Sequence, residues 1–308
     1  MCGVVEEGGT ASTNQLTDSL LFLNALMKHY MVHGLHLWTK TEIVIPPIPD
    51  TVRYSIGQGT VRVALASDFI RTTLSAAEAA AQTTLSVTSV SDNARIMANA
   101  DIIGIELDDG TMHWTTINDG SIAVGDTTIV ITTGLASAAA AGNSVYTYTT
   151  AWATTTDDQL PKRLLHAWTV NDDKHTRIVQ IISEEEYAAK ADKTSEGYIT
   201  EVRLDPQLTA SNIFVWPVPS GDQLDEVLHL IVERIIEDID TVGTHTPDFP
   251  QEWYLPLVLN LAVLMCPVYG VPVAKFQEIK LLADAALKDV LDYDTETTSL
   301  YISPDKGP

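Results

Sequence analysis

Three histidines, His29, His33 and His36, are the first residues whose spacing invites chemistry, because positions 29 and 33 would stand one helical turn apart. A zinc site needs three or four ligands, each oriented by a further hydrogen bond. No cysteine or acidic partner follows the histidines at a ligand spacing, so no metal is expected. The chain has no glutamate placed between His29 and His33 as metalloproteases need, no Gly-x-Ser-x-Gly elbow and no phosphate-binding glycine loop. The run Glu184-Glu185-Glu186 resembles paired carboxylates, but acid at a helix N-terminus explains it better. Glu233, Glu237, Asp238 and Asp240 could hold a cation and read more simply as a solvated face. Asp108-Asp109-Gly110 and Asp119-Gly120 have the composition of hairpin turns. These readings leave no catalytic residue and no cofactor site, and the chain is expected not to be an enzyme.

Charge and composition narrow the class further. The 308 residues carry 41 acidic and 18 basic side chains, a net charge of −23, and 45% of them are apolar. A globular protein follows from that apolar share, and a protein built to grip nucleic acid does not, because phosphate binding takes Lys and Arg. An acidic surface suits solubility, or a channel through which nucleic acid passes without sticking. Cys2 and Cys266 offer no disulfide framework. The first ten residues lack the basic and apolar stretches of a secretory signal. Residues 255–271 form the most apolar run, but Pro256 and Pro267 interrupt it and a bilayer crossing takes about 20 residues. It reads as a buried helix, with no membrane contact, in a chain made in the cytoplasm.

Several elements must position whatever the chain presents. Ser12 and Gln15 have capping-box spacing, Leu16, Leu20, Leu23, Met27 and Tyr30 fall on one stripe, and Gly34 ends the helix. An apolar tether at 35–38 and a turn at Pro46, Pro47 and Pro49 lead to short strands at 52–56 and 61–65. Ser183 and Glu186 cap a short helix over 184–190. Strands follow at 198–204 and 213–216, joined by a turn at Asp205-Pro206. The segment 224–239 fits helix and strand alike, and its hairpin context favours a strand continuing a meander. A helix from Asp248 as N-cap runs to Met265, with Pro256 kinking it or delaying its start. The last helix begins near Pro272, with Phe276, Ile279, Ala283, Ala286, Leu287 and Val290 on its core stripe. A tail from Tyr293 follows, holding the apolar cluster Leu300-Tyr301-Ile302.

Between residues 72 and 151 the texture changes. Thr, Ser, Ala, Val and Ile dominate and Lys is absent. Short strands are expected around Leu85, Val87 and Val90, over 102–107 and 112–117, and over 127–131 and 144–148. That regular spacing indicates a small antiparallel sandwich or barrel inserted into the chain. The Ala-rich joins at 76–81 and 136–141 have no evident place in it. The expected class is therefore α+β: a helical core with a small antiparallel β meander over 1–71 and 152–308, plus an inserted all-β, immunoglobulin-like domain over 72–151.

Outside the insert the chain resembles the head-to-tail adaptor family of short-tailed bacteriophages. The likeness rests on Gly3-Val4-Val5-Glu6-Glu7-Gly8 before the first helix, on residues 20–24, and on Gly34 to Trp38. It continues through Ser183 to Tyr187 with Lys190 or Lys193 and Gly197. Its most specific pieces are Val215-Trp216-Pro217-Val218-Pro219, Phe249-Pro250-Gln251-Glu252-Trp253, Asn260-Leu261-Ala262 and Pro267-Val268-Tyr269-Gly270, in that order. The insert resembles immunoglobulin-like modules of phage virion proteins through residues 103–110 and 139–143. Pro256 departs from the family pattern, as does the lack of a helix before Gly3.

The resemblance implies a virion structural protein at the head–tail interface. It would form a ring of twelve subunits beneath the portal, meet a tail nozzle or hub protein below, and let double-stranded DNA pass through the lumen without specific binding. Tyr293, Leu300, Tyr301 and Ile302 are the residues expected to dock into the portal. A closed ring needs heterologous side-to-side contacts between identical subunits. Two rival readings are a tail nozzle or tail-tube component and a host-attachment, carbohydrate-binding protein. The second would use Trp114, Tyr146 and Tyr148 as an aromatic platform.

Overall fold

A computed structural model of the chain describes residues 11–32, 39–57, 62–88, 97–122, 125–149, 160–207, 210–236, 238–239 and 249–293. Four α-helices occur among them: α1 (Thr13–Val32), α2 (Glu184–Ala188), α3 (Tyr254–Met265) and α4 (Val273–Tyr293). The strands up to residue 148 are β1 (Lys40–Ile45), β2 (Arg53–Gly57), β3 (Ala64–Leu65), β4 (Ile70–Thr73), β5 (Thr84–Ser86), β6 (Met97–Ala98), β7 (Ile102–Glu106), β8 (Met112–Thr116), β9 (Ser121–Ile122), β10 (Thr128–Val130) and β11 (Ser144–Tyr148). After them come β12 (Pro161–Val170), β13 (Thr176–Ile178), β14 (Gln180–Ile181), β15 (Glu201–Pro206), β16 (Ala210–Trp216) and β17 (Val227–Arg234).

This architecture corrects the expected helical core with a small meander. Among the described residues strands make up 35%, in several antiparallel sheets, against 27% helix. Two strands that the sequence hid account for much of the difference. Strand β12 is ten residues long, but its pairing with β17 shifts register between Pro161 and Arg163 and again between Leu164 and His166. Each bulge adds a residue and breaks the two-residue alternation that identifies a strand. Strand β1 hides for another reason: Ile43, Val44 and Ile45 are all fully buried, so no polar side chain alternates with them.

Chain contacts divide the molecule into two units, Met1–Thr39 with Ile236–Pro308, and Lys40–Ile235. The first is helical. Ser12 Oγ accepts from the Gln15 amide at 3.3 Å and Gln15 Oε1 from the Ser12 amide at 2.8 Å, so the capping box starts α1 as its spacing predicts. Leu26, Met27 and Tyr30 of α1 pack with Ile236, Ile239, Phe249, Trp253 and Leu257. Pro256 lies in the first turn of α3, where the missing amide removes no helical hydrogen bond. A 3-10 turn, Gln251–Trp253, precedes it, and the start is delayed rather than the helix kinked. Asp248, the expected N-cap, lies outside the described residues.

The second unit holds all the strands among the described residues. A five-stranded sheet in the order β13-β12-β17-β1-β3 and a four-stranded sheet in the order β14-β15-β16-β2 share one core, built from Ile43, Ile45, Ile56, Ile213, Val215, Leu228, Leu230 and Val232. The ambiguous segment is strand β17, but it pairs with β1 and β12 and does not extend a meander from β16. Residues 70–148 surround a core of their own that includes Leu74, Leu85, Val87, Ile103, Ile105, Ile117, Ile129 and Val145. It carries the four-stranded sheet β4-β11-β7-β8 and two short ladders, β10-β5 and β6-β9. The two Ala-rich joins pair with each other, Glu78 exchanging backbone hydrogen bonds with Ala139 at 2.8 and 3.0 Å. Asp108-Asp109-Gly110 closes the β7–β8 hairpin, with Gly110 at φ 77. Asp119-Gly120 is a bend, and β8 and β9, which it joins, pair with other strands.

Candidate interaction surfaces

The sequence-predicted candidates scatter. His29 is exposed on α1, and His33 and His36 lie outside the described residues. Among the described residues no group of three or more His, Cys, Asp or Glu could hold a metal ion. Glu184, Glu185 and Glu186 open α2, where Ser183 and Glu186 complete a capping box. Hydrogen bonds from Ser183 hold the Glu186 carboxyl below its ordinary range. Glu233 is buried, 3.7 Å from Arg163 in β12, and Asp238 pairs with Lys28 at 2.9 Å. Glu237 and Asp240 lie outside the described residues, as do Leu300, Tyr301 and Ile302; Tyr293 is the last residue of α4.

The aromatic residues of the 70–148 sheet do not form a platform. Tyr146 and Tyr148 are fully buried, which pushes both phenols up. Trp114 is half-buried, stands opposite Gly104 across the β7–β8 pair, and has the Arg62 guanidinium 5.4 Å from its ring centroid. An open groove of about 310 Å³ runs beside it, lined by Arg62, Ile102, Trp114 and four threonines, Thr115, Thr116, Thr132 and Thr133. Threonine hydroxyls bind one another there, Thr116 to Thr132 at 2.9 Å.

A polar hub fastens this sheet to the larger one. Arg71 Nη1 donates to the Val170 carbonyl at 2.9 Å, and Nη2 donates to the Asp172 carboxylate and the Asp225 carbonyl. Ser144 Oγ donates to Asp172 at 3.1 Å, and the buried Tyr146 hydroxyl donates to the Leu224 carbonyl at 2.5 Å. Tyr146 also packs with Val44 and Val227, which explains why β1 is buried on both faces. Burial raises the carboxyls of Glu106, Asp225 and Glu226, and the Asp172 charge pushes the first two in the same direction. These bonds tie β4 and β11 to the chain around β12 and β17, and the hub anchors one sheet to the other.

The outer face of the five-stranded sheet carries the other feature that sequence reasoning missed. Register aligns Ile178, Trp168, His229 and Val44 in one row across four strands. Trp168 stacks on His229 at 5.5 Å and 18°, and His229 Nδ1 lies 2.9 Å from the Glu42 carboxylate. Burial lowers the His229 pKa, and Glu42 opposes the shift. Beside the row is an apolar groove of about 410 Å³ lined by His166, Trp168, Thr176, Ile178, Ile181 and Ile231 among others. Ile178, on edge strand β13, is 85% exposed. No periodic signal could have located this row, because it is assembled from strands far apart in sequence, one of them doubly bulged.

The helical unit is the more exposed of the two in apolar terms. Among the described residues thirteen large hydrophobic side chains are exposed, and ten of them belong to it; only Ile178, Ile181 and Tyr198 lie in the strand unit. Scans against protein-family models and against curated protein sequences find no match.

Proposed function

We propose that the chain is a virion structural protein, a head-to-tail adaptor whose copies form a ring beneath a portal and pass DNA to the tail without enzymatic activity. One observation carries the reading: a protein with net charge −23 keeps ten large apolar side chains exposed in its helical unit. Contiguous apolar patches are rare on monomeric soluble proteins, and a concentration of exposed apolar side chains in one unit favours a face meant for a partner. The ordered motifs from Val215 to Gly270 supply the class of partner, and the acidic balance suits a conduit for DNA.

In this reading the segment after Tyr293, with Leu300, Tyr301 and Ile302, docks into the portal, and the opposite end of the ring receives a nozzle or hub protein. Co-sedimentation of the full chain with purified portal tests it. Saturable binding at a fixed ratio of adaptor to portal subunits is the expected result, and portal that pellets without the chain at micromolar concentration contradicts it.

A further inference from the structure

We propose that the joint between the 70–148 sheet and the five-stranded sheet is a pH-sensitive clasp, tight in mildly acid solution and looser as the carboxyls of Glu106 and Asp225 ionise. Four carboxyl groups lie around it: Glu106 at the end of β7, Asp172 in the turn after β12, and Asp225 and Glu226 just before β17. Two of them meet on one residue. The Ser144 amide donates to Glu106 Oε2 at 2.8 Å and the Ser144 hydroxyl to Asp172 Oδ2 at 3.1 Å, and Ser144 is fully buried. Two guanidinium groups stand among the four acids, and each already has a carboxylate of its own. Arg71 pairs with Asp172, and Arg177 with Glu226 at 3.2 Å. Among the described residues Glu106 and Asp225 have no salt-bridge partner, and each feels the Asp172 charge.

The joint leaves little room to relieve that repulsion. A Cβ at Gly221 would lie 2.9 Å from the Gly110 Cα, so the turn after β7 abuts the segment that leads to Asp225. Arg71 and Tyr146 add their bonds to the Val170, Asp225 and Leu224 carbonyls, so Glu106 and Asp225 separate only if the sheets part. Burial raises both carboxyls, and the negative neighbours push them the same way. A carboxyl whose folded pKa exceeds its unfolded value contributes stability that is complete below the unfolded value. That stability is lost as pH rises through the folded one. Glu226 is also raised by burial, with Arg177 opposing the shift. Burial pushes the Tyr146 phenol up, so it stays neutral, and exposed Asp173, Lys174 and His175 lie on the same turn as Asp172. His229, which the Arg71 charge reaches, works in the opposite sense because burial lowers its pKa. The inference concerns a single copy of the chain and does not depend on the adaptor reading.

The test is hydrogen exchange of the full chain read by mass spectrometry from about pH 5 to about pH 8, corrected for the intrinsic exchange rate. Residues 142–148 and 222–227 report on the joint, and strand β16 serves as the internal reference. In the wild type, protection of the joint relative to β16 should fall severalfold as pH rises. Glu106→Gln/Asp225→Asn keeps the shape and removes both charges, so it should hold the joint near its acid level of protection throughout. It should also raise the melting temperature more at pH 8 than at pH 5. If that pair misfolds, Glu106→Gln alone should act in the same direction, because its side-chain oxygen can still accept from the Ser144 amide. Glu185→Gln/Asp289→Asn removes the same charge from two exposed positions and should leave the wild-type pH dependence in place. Each variant is compared with the wild type at the same pH, which cancels the His229 contribution. Joint protection that does not change with pH in the wild type overturns the inference. So does a fall that survives Glu106→Gln/Asp225→Asn, or a flattening that the exposed pair produces equally well, which would make it an effect of net charge alone.

Discussion

Gly104 and Trp114 face each other across the β7–β8 ladder, and the indole lies so close over the glycine that a Cβ there would come within 2.6 Å of the ring. Three indole carbons fall inside 3.0 Å of that position, so the ring as a whole would have to move. The Arg62 guanidinium also lies over the indole, 5.4 Å from its centroid. Gly104→Ala should therefore destabilise the 70–148 sheet by about 1–3 kcal/mol, the usual cost of overpacking. Urea unfolding of Gly104→Ala and of the Gly104→Ala/Trp114→Ala double variant checks this. The second substitution should recover part of the loss, and an unchanged midpoint in the single variant would contradict the account.

Tyr146 tests the anchor between the two sheets. Its hydroxyl donates to the Leu224 carbonyl from a fully buried position. Tyr146→Phe keeps the ring and leaves that carbonyl without its donor, a loss of about 1–3 kcal/mol. Arg71→Met removes three donor contacts and leaves Asp172 without its ion pair, so its effect should be larger. Negligible losses in both variants would mean that the hub does not hold the sheets together.

Stability against pH should carry the mark of His229. Its folded pKa lies below the ordinary 6.5 because burial disfavours the charged ring. The unfolded chain then binds the proton more readily, so His229 contributes stability that is complete above pH 6.5 and lost as pH falls through the folded value. An NMR titration of the imidazole should give a midpoint below 6.5, and Glu42→Gln should lower it further by removing the one partner that favours the cation. A midpoint at or above 6.5 in the intact protein would contradict the burial argument.

Truncation after Tyr293 separates fold from docking. Helix α4 ends at Tyr293, and the side chains it packs into the protein, Ile279 and Ala283 and on to Leu287, Val290 and Leu291, all precede that residue. The shortened chain should melt within a degree or two of the full one and fail to bind portal. Aromatic and aliphatic anchors at an interface contribute about 2 kcal/mol or more each, so losing the Leu300-Tyr301-Ile302 cluster should cost at least thirtyfold in affinity. Undiminished binding by the truncated chain would remove those residues from the interface.

Local signals were the legible part of this fold. The Ser12–Gln15 and Ser183–Glu186 caps and the Asp108-Asp109-Gly110 turn are set by interactions within four residues, and the structure has them where the spacing puts them. Strands β7, β8, β10 and β11 were readable because each has its own run of β-favouring side chains. What failed was everything decided across the sheets. The bulges of β12 are shaped by its partner β17, and the burial of Val44 depends on Tyr146, about a hundred residues away. With β1 and β12 unread, the strand content was underestimated and the helices appeared to be the core. The Ile178–Trp168–His229–Val44 row stayed hidden for the same reason, since its members meet only once the five-stranded sheet has formed.

Electron microscopy of the full chain, alone and mixed with purified portal, bears most directly on the adaptor reading. Class averages of the mixture should show a closed ring of the chain stacked coaxially on the portal ring, with twelvefold symmetry in both and an open lumen. Rings of another symmetry, or portal particles with no added layer at saturating concentrations of the chain, would contradict it.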